Sequence, residues 1–478
     1  MQFSRQRKRE NMDKPFRCPG ICEGCGRCLA SGLNAGAGDR KTKIIAYPEN
    51  FTADPGSGLA VAFDMGTTTL AGMLWDAEQG RQLGTAVKTN PQRKQGADVI
   101  SRITYCAGSP EKLMQLRMEL ADAMNEMIQE MCLKTGRQAA DIRKAAVCGN
   151  TTISHIFAGY SPEGLAFAPF TPAYEGTLRM TGRQTLLDLP EGAEVTVLPG
   201  IAGHVGGDIT AGILASGIMD MQGLTVFIDI GTNGEIVLAD EGRLLVCSTA
   251  AGPAFEGASI SRGMRAAEGA IEKVSIEKGL VDIRTIGNRK AIGICGSGLI
   301  DAVSQMLNAG LIDERGRLAA GYEWASKGFD RNLSGRLTEE DGRRQFVLAC
   351  TAGGDDIAIT QNDIREVQLA KGAINAGVEL MLGKIGKNAG DIRRVVIGGA
   401  FGNYIDKAAA VNIGLLPKVP EEMIVSAGNT AGAGVSMAMV SRRAMELAEE
   451  IPFLATHVEL AREPDFQEKY LTSMGFRR

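Results

Sequence analysis

Long apolar runs are missing from this 478-residue chain: none approaches the 18 uninterrupted apolar residues that a membrane-spanning helix requires. No membrane partner is expected. A strong charge of one sign is missing too, since 52 basic and 56 acidic side chains leave a net charge of −4, which supplies no general attraction for nucleic acid or an anionic membrane. No nucleic-acid partner is expected either. Low-complexity tracts are absent. The segment Met1–Arg17 carries six Lys/Arg but lacks the apolar stretch of a signal peptide, so the chain reads as cytoplasmic. Its basic arm, Arg5, Arg7, Lys8 and Arg9, reads as a solvated tail, with a docking patch for an acidic partner as the alternative.

What is present fits a folded protein. Hydrophobic residues make up 44%, charged residues 23% and aromatics 5%, which argues against disorder, collagen or a coiled coil. At about 150 residues per domain, the length predicts roughly three domains, or two large lobes with an appendage. Glycine is the anomaly: its 61 copies are nearly twice the usual ~7%. Such a surplus implies many turns and close backbone approaches, the kind of loop that holds phosphates.

Ten cysteines are unevenly placed. Cys18, Cys22, Cys25 and Cys28 fall within 11 residues, whereas Cys106, Cys132, Cys148, Cys247, Cys295 and Cys350 are scattered. In a reducing compartment the tight group points to metal, and the scattered six read as small buried hydrophobes. Residues 31–58, with several glycines and two prolines, read as a partly flexible linker. The expected layout is a basic arm and cysteine motif at 1–30, a linker at 31–58, and lobes at 59–222 and 223–478.

From Leu59 onward a buried-strand pattern followed by a glycine-rich turn recurs: LAVAFD-MGTTT, AAVCGNTT, LTVFID-IGTNGE, AIGICGSG and RVVIGGAFG. Strand–turn units of this kind predict an α/β body with ligand loops at strand ends. The first and third share apolar strand-Asp-x-Gly-Thr, with Asp64 and Asp229 one lobe's length apart, so two related lobes are expected to contribute one loop each to a shared cleft. Between Glu111 and Leu133, apolar residues at helical spacing predict a packed helix, its methionines serving the core.

A nucleoside triphosphate needs backbone N–H groups, little bulk, hydroxyl donors and a carboxylate for hydrated Mg2+. Asp64, Gly66, Thr67 and Thr68 supply that set, and so do Asp229, Gly231, Thr232 and Asn233. Each Asp closes a strand within reach of Mg2+, each Gly admits the phosphates, and the hydroxyls donate. One such loop is weak evidence. Two at lobe spacing are much stronger.

These loops, the GNTT turn at 149–152 and the turn containing Gly398 and Gly399 resemble the phosphate, connecting and adenosine motifs of the superfamily joining actin, the heat-shock ATPases and sugar kinases, called ASKHA. The resemblance implies two ribonuclease-H-like lobes clamping ATP and Mg2+, with Gly398 and Gly399 approaching the adenosine. Asp208, in GHVGGDITAGILA, is then the candidate for orienting the attacking water or for a water-mediated Mg2+ role, against a plain helix N-cap. Longer strings, GNTTISHIFAG, PGIAGHVGGD, CSTAAGPAFEGA, GICGSGLID, VQLAKGAI and PDFQEKYLTSMGF, resemble the reductive activators of corrinoid-dependent enzymes, ASKHA ATPases joined to an iron-sulfur module. That resemblance implies ATP-dependent delivery of one low-potential electron to an inactive Co(II) corrinoid protein or corrinoid-dependent methyltransferase, restoring Co(I). It further implies a low-potential electron donor and a homodimer.

Cys18-x3-Cys22-x2-Cys25-x2-Cys28 suits a 4Fe-4S cluster, since C-x2-C-x2-C matches part of a bacterial ferredoxin run. Zinc is the weaker alternative, because zinc sites usually separate two ligand pairs by a longer insert. The spacing C-x3-C-x2-C also occurs in radical S-adenosylmethionine enzymes, but the body that follows here is an ATPase pattern and not a barrel. Relatives commonly carry a full ferredoxin domain with plant-type spacing, so cluster type is not transferred by resemblance. Of the three histidines, His155 reads as packed and His204 as either a ligand contact or a loop hydrogen-bonder, while His457 receives no role. Rival readings are an activase of the 2-hydroxyacyl-CoA dehydratase type, a small-molecule phosphotransferase with a structural zinc loop, and a nucleotide sensor without turnover.

Overall fold

The computed structural model describes residues 51–476, apart from Ala97, 321–330, Asp341, 351–355, Ala400, Phe401 and Asn403. The four clustered cysteines and most of the expected linker lie outside the described residues. Residues 51–58, placed in that linker from sequence, are held against the body: Asp54 N donates to Val440 O at 2.8 Å and Gly56 N to Ala77 O at 3.1 Å. Phe51 and Ala53 also pack on the core between the lobes.

The first sheet begins with a meander of β1 (Leu59–Met65), β2 (Thr69–Asp76) and β3 (Arg81–Thr89). It continues through β4 (Ile142–Gly149), β5 (Leu178–Thr181) and β6 (Glu194–Val197) in the order β3-β2-β1-β4-β6-β5, with β4 parallel to β1 and β6 parallel to β4. A central strand walled on both faces reads as a continuous apolar run, and β1 (LAVAFDM) is buried nearly throughout. The second sheet repeats the meander with β7 (Thr225–Ile230), β8 (Gly234–Asp240) and β9 (Arg243–Thr249). An insertion then forms two three-stranded sheets: β10 (Ala270–Glu277), β11 (Leu280–Thr285) and β12 (Gly293–Ile294), then β13 (Leu337–Glu340), β14 (Arg343–Ala349) and β15 (Ile357–Thr360). Strands β16 (Arg394–Gly398), β17 (Ile424–Gly428) and β18 (Ala455–His457) complete the order β17-β16-β7-β8-β9-β18, with β16 parallel to β7 and β17 parallel to β16. The echo between Asp64 and Asp229 is therefore an echo of winding. Each is the penultimate residue of the first strand of a meander, opposite Ala71 and Glu235 respectively.

Helix Pro110–Thr135 covers the outer face of the first sheet, capped by Ser109 at its start and by Gly136, at φ 66°, at its end. Met124, Met127 and Met131 are buried, and the terminal methyls of Met127 and Met131 sit over Gly72 of β2. Their role is core packing, as expected from the spacing. Five scattered cysteines are buried, but Cys350 is exposed because it follows the last residue of β14.

Helices Gly207–Ser216 and Thr430–Val440 join the halves, their apolar residues forming one core with both sheets. Their backbones meet so closely that a Cβ on Gly434 would lie 1.9 Å from Ala211 O. Any larger residue there would force the helices apart. This core lies beneath the strand ends that carry both acidic loops.

Candidate functional site

A cleft of about 290 Å³ opens above that core, walled by both Asp loops, Asn150, Asp208, Glu235, Glu256, Arg265, Gly399 and Asn429. The hairpin after β1 turns tightly because Gly66 N donates to Thr69 O at 3.0 Å. A Cβ on Gly66 would meet that oxygen at 2.5 Å, so the turn excludes any other residue. Arg102, fully buried, then fixes the loop from below: its guanidinium reaches Thr67 O, Gly96 O and Gln92 Oε1. Asn90 Nδ2 donates to Gly66 O at 2.9 Å, and Asn150 Nδ2 to Thr67 Oγ1 at 2.9 Å.

The second loop closes differently. Gly231 N donates to Asn233 O at 2.9 Å. Gly399, at φ 80°, lets its backbone approach so closely that a Cβ would stand 2.6 Å from Asp229 Oδ1. Between the loops, Glu256 accepts from Thr68 Oγ1 at 2.8 Å and from Thr232 Oγ1 at 2.7 Å. Asn429 Nδ2 donates to Asp64 Oδ2 at 2.9 Å while its own oxygen caps helix Thr430–Val440.

Of the five carboxyl groups that line the cleft, Asp64, Asp208, Asp229 and Glu235 are the ones whose titration its walls displace. Burial pushes Asp64 up to about 6, moderated by the Asn429 hydrogen bond. Burial first, then the charge of Asp64, pushes Asp229 up to about 7. Asp208 rises to about 7 through burial and the charges of Asp229 and Asp64. Glu235 rises well above the ordinary range through burial and the charges of Asp208 and Asp229, opposed by the Ser248 hydroxyl at 3.2 Å. Like charges walled from water raise one another, and a cation bound among them would relieve that repulsion. The cluster's all-oxygen donors suit a hard ion such as Mg2+. Among the described residues, no three histidine, cysteine or carboxylate groups converge tightly enough to hold an ion alone. Mg2+ needs no such cage, because it keeps several waters and takes one or two carboxylates plus phosphate oxygens.

Asp64, Gly66, Thr67, Thr68, Asp208, Asp229, Gly231, Thr232, Asn233 and Gly399 all line this one cleft. Gly398 does not: the space a side chain would need there is filled by the Phe227 ring and Thr430. Asp208 is not the helix cap either. Gly206 takes that position, and Asp208 sits in the first turn with Oδ1 accepting from Ile209 N at 3.0 Å. His155 is packed as expected, its ring bonded to Thr151 O and Ala173 N. His204 lies against Phe170, at 4.6 Å between ring centroids, away from the residues lining the cleft. His457 lies in β18, paired with β9. Sequence reasoning missed Arg102, Glu235, Glu256, Arg265 and Asn429. Glu235 and Glu256 lie inside strings already marked by their glycines, a signal that was available; the others carry none.

Residues 223–478 match the family model described as the C-terminal domain of RACo, the ASKHA domain, and residues 59–221 match the RACo middle region. The chain belongs to the RACo family. As a RACo-family protein it has a C-terminal domain of the actin and sugar-kinase type, a fold that implies ATP binding. It is 38% identical over 439 residues to corrinoid activation enzyme RamQ of Eubacterium limosum, covering 91% of this chain and 73% of that protein. It is 26% identical over 454 residues to the [Co(II) methylated amine-specific corrinoid protein] reductase of Methanosarcina barkeri, covering 87% of this chain and 76% of that one. A solved structure named as a reductive activator for corrinoid, iron-sulfur protein superposes with a TM-score of 0.78 at 36% identity, covering 88% of this chain and 66% of the other. No helix among the described residues is long and apolar enough to cross a membrane.

Proposed function

We propose that this RACo-family protein is an ATP-dependent reductive activator, which couples ATP hydrolysis in the two-lobed cleft to delivery of one low-potential electron to an inactive Co(II) corrinoid protein, regenerating Co(I). The observation that carries the reading is the meeting of two Asp-x-Gly-Thr loops, one from each lobe, over a shared cluster of half-buried carboxyls. The activities named for the similar proteins agree with it.

In this reading the backbone N–H groups of the two loops and the hydroxyls of Thr67, Thr68 and Thr232 bind the phosphates. Asp64 and Asp229, as carboxylates, would hold hydrated Mg2+ against them. Asp208 orients the attacking water or a water of the metal. Gly399 admits the nucleoside. Cys18, Cys22, Cys25 and Cys28 would hold one 4Fe-4S cluster, which supplies one-electron chemistry at low potential when bound. The one-electron balance is simple: a reduced donor replaces each electron passed on, and each turns one Co(II) into Co(I). ATP makes the transfer directional if nucleotide binding favours the conformation that docks the corrinoid partner and hydrolysis releases it.

The test is anaerobic purification with iron and sulfide analysis, followed by visible spectroscopy of a Co(II) methyltransferase corrinoid protein with reduced donor present. The expected result is conversion to Co(I) that requires both ATP and this protein. No spectral change overturns the proposal, and stoichiometric zinc in a colourless protein favours the phosphotransferase reading.

A further inference from the structure

Thr68 and Thr232, one from each lobe, donate to opposite oxygens of a single carboxylate, Glu256. A hydroxyl has one O–H to give. Both threonines have therefore committed their donors to Glu256, and neither can donate to a phosphate until that carboxylate moves. A carboxylate and a phosphate present the same chemistry to such a pair, anionic oxygens accepting charge-assisted hydrogen bonds.

Glu256 can make that movement with its side chain, while Ala254 and Phe255 anchor the backbone beside it in the core of the second lobe. Glu256 ends the short turn Pro253–Glu256, bounded by Gly252 at φ 78° and Gly257 at φ 79°. Farther along, Arg265 Nη1 crosses the same cleft to Thr89 Oγ1 at 3.1 Å. Residues 253–265 thus strap the second lobe to the first at two points. Arg265 Nη2 is buried without an acceptor and lines the cleft, leaving a guanidinium donor at the place where anionic groups would change over.

We propose that Glu256 stands in for phosphate oxygens and exchanges with them, so that an arriving nucleotide takes the hydroxyls of Thr68 and Thr232, expels the carboxylate and breaks one of the two ties between the 253–265 strap and the first lobe. The inference rests on reading the cleft as a nucleotide site. Glu256 is a positioning residue in this scheme: it acts on nucleotide through the threonines and sets which conformation the strap adopts. Apparent nucleotide affinity is then reduced by the fraction of molecules in which the carboxylate is engaged.

The test uses the full-length protein, purified anaerobically, with Mg2+ and the non-hydrolysable ATP analogue AMP-PNP. Calorimetric titration is expected to give about tenfold tighter binding to Glu256→Ala, and a smaller gain for Glu256→Gln, which keeps the shape but not the charge. Hydrogen exchange at residues 253–265 should rise in the wild type when AMP-PNP is added, and should already be high in Glu256→Ala without it. Unchanged or weaker binding in both variants overturns the proposal. So does a large fall in kcat at unchanged KM, which would place Glu256 at the chemistry. If Glu256→Ala fails to fold, Glu256→Gln decides. Wild-type protein that binds no AMP-PNP defeats the nucleotide reading itself, whereas wild-type binding with unaltered variants defeats only the exchange.

Discussion

The two acidic hairpins share a strand geometry but not a means of support. In the first lobe, polar side chains hold the loop: Arg102, Asn90 and Asn150 grip its backbone and one hydroxyl, and Asn429 reaches over from the second lobe to Asp64. In the second lobe the backbone of Gly399 presses against Asp229, and the loop hydroxyl is held by Glu256. The difference has an electrostatic consequence. A donor at Asp64 pulls against burial and leaves it near 6, whereas burial and a like charge both push Asp229, which rises to about 7. One loop is a braced platform; the other leans on Gly399 and on the strap that carries Glu256.

The largest way to break this asymmetry is Asp229→Ala. ATP hydrolysis should fall by at least about a hundredfold, measured as phosphate release, while iron content and cluster absorbance stay unchanged. Loss of both would mean that Asp229 is structural. Arg102→Met tests the braced side. It leaves the carbonyls of Thr67 and Gly96 without their buried donor and should destabilise the first lobe by about 3 kcal/mol, read by thermal melting, with weaker nucleotide binding. A melt unchanged from wild type would show that Arg102 does not brace the loop.

Asp208→Asn should act in the opposite direction. Its folded-state value near 7 lies above the ordinary carboxyl value of about 4, so between those limits the folded chain holds more protons than the unfolded one. Stability therefore falls as pH rises through that window. Removing the charge should stabilise the nucleotide-free protein by ~2 kcal/mol at pH 8, less as pH falls, and nothing near pH 4. Mg2+ with nucleotide should erase the gain, because it stabilises only the charged site. The smallest change is Asn429→Leu, which removes the donor to Asp64. The pH midpoint of Mg-nucleotide binding should move upward by about 1, bringing the two loops together; an unmoved midpoint would mean that Asn429 serves only as a helix cap.

Much of this site was legible in the sequence, since apolar runs ending in Asp-x-Gly-Thr announce strand, turn and anion loop together. Ten of the eleven residues placed in the cleft from sequence line it. Gly398, the last residue of β16, departs because it faces Phe227 and Thr430, whereas Gly399 leaves the strand at φ 80° and turns onto Asp229 at the cleft. Residues 51–58 read as linker by composition, yet hydrogen bonds to Ala77 and Val440 hold them, and composition does not reveal such distant acceptors. Cys350 looked like a core residue because its type is usually buried, but its place one step beyond a strand decided otherwise.

The sequence alone determined what short-range sterics and periodicity control: the strand and helix pattern, the glycine turns, the two acid loops and the four-cysteine motif. Tertiary structure decided which groups face one another across the cleft. Thr68 and Glu256 are 188 positions apart, and Asp64 and Asn429 are 365 apart. Nothing local encodes such pairs: they exist because two helices packed backbone to backbone bring the sheet ends together, and the partial burial that follows lifts four ordinary carboxyls above their usual range.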